Sequence, residues 1–172
     1  QTLTYYEIDP QLPDVQAYDL LEDGDRGVLW MATNMGLERA ALPDNLSHPP
    51  AELEVTRVLT RSSAYVGIVL DLEPAGPDRV WLAHHGVGLS LFDLASEEGV
   101  TTYKADTGEP SALTDSRITG LYPGRDGHIW IATLAGLTLF DATAETFEDV
   151  LGGPDAPLTT AERVISLWEQ DA

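Results

Sequence analysis

Apolar residues in this chain come in short runs separated by turn chemistry. The lengths and spacing of the runs predict strands rather than helices. The first group covers Val15–Leu21, Val28–Thr33, Gly36–Ala41 and Leu53–Leu59. The second covers Tyr65–Leu72, Arg79–His84, Gly88–Asp93 and Val100–Lys104. The third covers Ile118–Tyr122, His128–Thr133, Leu137–Asp141 and Thr146–Val150. Within each group the first two runs join through Asp23-Gly24, Gly76-Pro77-Asp78 or Asp126-Gly127. Such pairs tolerate the positive φ that tight hairpins require.

The groups are copies of one another. Trp30, Trp81 and Trp130 stand 51 and 49 residues apart, each two positions before an alanine: Ala32, Ala83 and Ala132. Each is followed by Gly-Leu (Gly36-Leu37, Gly88-Leu89, Gly136-Leu137), and the last two copies reach Phe-Asp at Phe92-Asp93 and Phe140-Asp141. A four-stranded antiparallel unit of this length with a regular aromatic is the signature of a β-propeller blade. One small sheet leaves both faces bare, and radial stacking covers each with its neighbour. The reading is therefore an all-β protein, a β-propeller fragment forming one incomplete propeller over residues 1–172. Its complete blades span 15–59, 64–104 and 117–151. Residues 2–8 resemble the last strand of a preceding blade, and 163–169 the first strand of a following one, with Val164–Trp168 aligning on Ile118–Tyr122. The tryptophans are expected to pack between blades, the other reading being ligand stacking. The alanines let the backbone crowd near the axis.

Leu113, Ile118, Asp126-Gly127, Trp130, Thr133, Gly136-Leu137 and Asp141 together resemble the two-component regulator propeller repeat. The second copy departs from it by placing His84 where Thr is usual and by one extra residue before Gly88. The first departs further, with Glu38-Arg39-Ala40 where the aromatic and acid should fall and a long Pro43–Pro50 excursion. The resemblance implies a ligand-sensing, non-catalytic module in the periplasm. In that family such repeats, usually in seven-bladed propellers, precede a membrane helix and an output such as a histidine kinase or a diguanylate cyclase. Oligosaccharides are ligands of some members. The motif speaks for the fold and says little about the ligand.

Charge narrows the partners. Acidic residues number 29 against 9 basic ones, a net charge of −20, and Lys104 is the one lysine. Phosphate-backbone binding relies on clustered Lys and Arg, so nucleic acid is excluded as a partner, and an anionic membrane surface would repel the chain. With 43% apolar and 22% charged residues the composition is that of a globular domain, not a disordered acidic tail. There is no cysteine, which removes disulfides, thiolate nucleophiles and Cys-based metal sites. No run of about 18 apolar residues is present and no signal peptide is visible. The chain opens at Gln1, so it is expected to be processed or excised. Scarcity of lysine suggests a salt-adapted source. Three blades leave strand edges, so self-association or a longer parent chain is expected to close the ring.

The candidate ligand-contacting residues are Asn34, Arg61, His84, His85 and Arg117, on turns between second and third strands or just before first strands. His84-His85 could supply hydrogen-bonding or metal groups at the channel mouth. Equally, His84 could simply fill the slot of Thr33 and Thr133, since neighbours on a strand point to opposite faces. Arg61, Arg117 and Arg163 could bind a carboxylate or sulfated sugar, or pair with nearby Asp and Glu. Asp23–Gly27 lacks the further acids of a calcium loop and reads as a hairpin turn. Leu151-Gly152-Gly153-Pro154 lacks the Lys and helix of a phosphate loop. No nucleophile motif appears, and no metal or cofactor is implied. A propeller enzyme of the lyase or lactonase kind and a protein-interaction scaffold are the competing functions.

Overall fold

The computed structural model describes residues 15–42, 54–59, 67–105 and 112–152. The expected single strands 2–8 and 163–169, and Arg61 and Arg163, lie outside them. The described residues form a partial β-propeller of three four-stranded antiparallel sheets, each in simple up-and-down order. The first holds β1 (Ala17–Asp23), β2 (Val28–Thr33), β3 (Gly36–Ala41) and β4 (Val55–Leu59). The second holds β5 (Ile68–Pro74), β6 (Arg79–His85), β7 (Gly88–Asp93) and β8 (Glu98–Tyr103). The third holds β9 (Ile118–Pro123), β10 (His128–Thr133), β11 (Gly136–Asp141) and β12 (Thr146–Gly152).

The first strands differ most from expectation. β1 and β5 begin two and three residues later than the apolar pattern suggests and run on to Asp23 and Pro74. Their ends are set by pairing across the tight turn to the second strand, not by where apolar residues stop. Each first strand also carries a bulge, with register shifts at Ala17/Asp19, Val69/Asp71 and opposite Ala132/Thr133. A bulge inserts one residue and inverts the in-out alternation, which defeats a period-two reading. β8 starts two residues early because Glu97, at φ 57, closes a short turn in the left-handed region.

The Gly of each Gly-Leu pair has a steric cause. A Cβ on Gly88 would lie 2.0 Å from the Tyr103 carbonyl oxygen, and one on Gly136 would lie 1.9 Å from that of Leu151. Fourth strands therefore approach third strands where only glycine fits, at φ 107 and 142.

Two apolar layers join the sheets. Trp30 packs edge-on against Phe92 of the next sheet, centroids 6.2 Å apart, and Trp81 meets Phe140 of the third sheet at 5.4 Å. In register, Phe92 and Phe140 correspond to Ala40 of the first sheet, so the missing aromatic of the first copy falls at Ala40 and the missing acid at Ala41. Trp30 and Trp81 are buried, whereas Trp130 is only partly so.

Candidate functional site

At one end of the strands the second-to-third-strand turns meet the entries to first strands. Thr33 Oγ1 donates to the Gly36 carbonyl at 3.0 Å and accepts from the Met35 amide at 3.1 Å. Thr133 repeats this arrangement on Gly136 and Ala135 at 3.2 and 3.1 Å. His84 occupies the same strand position above a turn one residue longer. It is fully buried, and neither ring nitrogen has a hydrogen-bond partner among the described residues. Burial pushes its pKa down to about 4, so the ring is neutral near pH 7.

Alternation along β6 separates the two histidines. Val80 and Leu82 join the layer between the first and second sheets, and Trp81 and Ala83 the layer between the second and third. His84 therefore belongs to the first face and His85 to the second. His85 is exposed and forms a backbone bridge with Arg117 of the third sheet, beside a Gly86 N–H bond to the Ser116 carbonyl at 2.9 Å. Arg117 Nε reaches both oxygens of Asp115, at 2.9 and 3.1 Å, and Nη2 adds a third contact at 2.5 Å. Burial works to raise the Asp115 pKa, but bonds from Arg117 outweigh it and hold the carboxyl below its usual value. Asn34 is also tied locally: its Oδ1 accepts from the Gln16 amide at 2.9 Å. The structure thus brings His85 and Arg117 together across two sheets, while His84 turns away from them.

The sequence reading missed a row of acids on the innermost strands. Asp19, Asp71 and Gly120 stand opposite the repeated alanines Ala32, Ala83 and Ala132, where a methyl group leaves room for the bulged strand. Asp19 Oδ2 accepts the Leu72 amide of the next sheet at 2.9 Å, and Asp71 Oδ2 accepts the Leu121 amide at 2.6 Å. β5 and β9 each stand at the edge of a sheet, and each carboxylate satisfies a backbone donor that such an edge leaves outside the ladder. Burial, and then the hydrogen bond and charge of Asp19, push Asp71 up to about 6. Two residues on, Glu73 is held up at about 7 by burial and then by Asp71 and Asp19. Alternation hid these acids because their bulges reverse it; aligning first strands against the repeated alanine would have found them.

Among the described residues no three His, Asp or Glu side chains converge as metal ligands. No helix there is long and apolar enough to cross a membrane.

Residues 112–135 match the family model described as two component regulator propeller. A search of curated proteins gives no match. Among solved structures the chain is similar to the extracellular domain of the putative hybrid two component system BT3049 from B. thetaiotaomicron, with 18% identity and TM-score 0.58, over 78% of this chain and 18% of that one. It is similar to PorZ, a bacterial surface component of the type-IX secretion system of Porphyromonas gingivalis, with 20% identity and TM-score 0.56, over 73% of this chain and 17% of that one. The RRP9 WD40 repeats match at 10% identity and TM-score 0.51, over 83% of this chain and 42% of theirs. The chain spans less than a fifth of the length of the first two. At such identities the likeness speaks for architecture alone, and the match at 112–135 is what points toward a family. With its Trp-bearing sheets stacked side by side, the chain is a partial β-propeller, and residues 112–135 of it match the two component regulator propeller model.

Proposed function

We propose that this chain is a ligand-sensing, extracytoplasmic segment of a two-component signalling protein and performs no catalysis itself. The observation that carries the reading is the regulator-propeller match at 112–135, which covers the entry to the third sheet and its Trp-bearing strand. The BT3049 structure supports the setting, since that protein is described as the extracellular domain of a putative hybrid two component system. The strand-two-to-three turn face offers His85 and Arg117 to a ligand from adjacent sheets. Arg117, locked on Asp115, would serve as a positioned donor rather than a free cation.

The test is signalling by the protein in its native gene context. Phosphoryl transfer or nucleotide-cyclase output should respond to an oligosaccharide panel. His85→Ala combined with Arg117→Ala should abolish that response while leaving basal output unchanged. A gene encoding no signalling output, or a response untouched by the double substitution, would overturn the sensor reading or this face as its site, respectively.

A further inference from the structure

The other ends of the strands carry two clefts between sheets, and the repeat makes one a control for the other. The cleft between the first and second sheets holds about 290 Å³ and is bordered by Leu21, Glu22, Asp25 and Leu94. The cleft between the second and third holds about 490 Å³, walled by Trp81 and Tyr103, with Glu73, Glu145, Arg79 and His128 around it. That volume lies within the usual range for small-molecule sites, about 300–1,000 Å³.

The chemical difference centres on one repeated position. Opposite Trp30, Trp81 and Trp130 stand Leu21, Glu73 and Tyr122. Two of the three offer the tryptophan an apolar or aromatic neighbour; the second sheet offers a half-buried carboxyl. Desolvation makes such a carboxyl costly unless something charged or hydrogen-bonding meets it. Across the cleft, Glu145 is held at φ 55 in the left-handed region, and its carboxylate accepts the Tyr103 hydroxyl. Glu97 holds the matching place at φ 57 in the β7–β8 turn, so this conformation belongs to the repeated turn, and what Glu145 adds to the cleft is its carboxylate. The groups facing Glu73 are Asp71 on its own strand, Asp19 on β1, Arg79 on β6, Tyr103 on β8, His128 on β10 and Glu145 on the β11–β12 turn. Arg79 is exposed and stands opposite Asp93 in register, which takes up part of its charge.

We infer that the cleft between the second and third sheets binds a small organic cation, a primary amine on an apolar or aromatic body. Glu73 is its anionic anchor, and Trp81 and Tyr103 are its walls. Among the described residues only other acids shift the Glu73 carboxyl by their charge, so an ammonium beside it supplies a countercharge, and aromatic faces attract cations. The net charge of −20 raises the local concentration of any cation around the molecule.

Titration of the whole chain with phenethylamine and with its neutral analogue 2-phenylethanol, followed by calorimetry, tests this. Near pH 8 the amine should bind at least about tenfold tighter than the alcohol, and the preference should shrink near pH 5.5, where Glu73 is protonated. Glu73→Gln should weaken the amine by about tenfold and leave the alcohol unchanged. Glu22→Gln, at the smaller cleft, should alter neither. Should Glu73→Gln fail to fold by circular dichroism, Glu145→Gln should weaken the amine several-fold. Equal binding of amine and alcohol would overturn the proposal, as would no binding of the amine or full affinity in the folded variant tested. An equal loss in Glu22→Gln would mark general attraction to an anionic surface and would overturn it as well.

Discussion

Gly88 and His84 are two tightly constrained positions. Gly88 must adopt φ 107 while the Tyr103 carbonyl passes 2.0 Å from where a Cβ would sit. Gly88→Ala is therefore expected to cost about 2–4 kcal/mol, since strained backbone and a backbone clash add. Urea unfolding should show a lower midpoint, with Gly76→Ala as the comparison: Gly76 has φ 112 but nothing within 4 Å, so it isolates the backbone part of the cost. The glycine was legible from the repeat, but its reason was not, because the obstructing carbonyl lies 15 residues away on another strand. His84 shows the opposite case. The repeat alignment placed it in the threonine slot, but only packing revealed that both ring nitrogens are buried and without a partner among the described residues.

At the scale of elements, the innermost strands turn titration into a property of sheet stacking. Asp71 and Glu73 have folded pKa values of about 6 and 7, above their ordinary 3.8 and 4.5. The native state therefore binds protons more readily than the unfolded chain, and these acids add stability as pH falls through 7 and 6. His84 works in the other direction. Its folded pKa of about 4 lies below the ordinary 6.5, so stability drains as pH falls from 6.5 toward 4. Between pH 8 and 6.5 Glu73 contributes most, and thermal unfolding should show a midpoint that rises on acidification across that window, with unfolded His84 beginning to oppose it near 6.5. Asp71→Asn keeps an acceptor for the Leu121 amide, removes a charge that helps burial hold Glu73 up, and should reduce that rise in part. His84→Thr should steepen the rise near pH 6.5 and reduce the loss below it. An unchanged slope in Asp71→Asn would show that the axial acids do not govern it.

For the molecule as a whole, −20 on 172 residues is a large self-repulsion for any compact state. Added salt shortens the Debye length from about 10 Å at 0.1 M to about 3 Å at 1 M and should relieve it. The unfolding midpoint is expected to climb between those concentrations of sodium chloride, most steeply near pH 8, where the acids are ionised. A midpoint insensitive to salt would mean that ion pairs such as Arg39–Glu97 and Arg57–Glu38 already balance the field locally. The bridges Arg39–Glu97 and Arg26–Asp78 also link the first sheet to the second, so salt is expected to weaken them while it relieves the wider repulsion.

The sequence by itself determined the repeat, the four-strand unit, the hairpin turns and the residues that pack between sheets. These depend on local turn chemistry and on a hydrophobic pattern that recurs about every 50 residues, both written along the chain. It also placed His84, His85, Asn34 and Arg117 at one end of the strands, since turns alternate ends in any antiparallel meander. Only the tertiary structure decided which of them meet. A bulge in each first strand reverses alternation and sends Asp19 and Asp71 onto the next sheet's backbone. A one-residue step along β6 parts His84 from His85, and the stacking of separate sheets brings His85 to Arg117. Contacts between sheets join residues roughly 30 to 60 positions apart, and no local pattern in the chain records them.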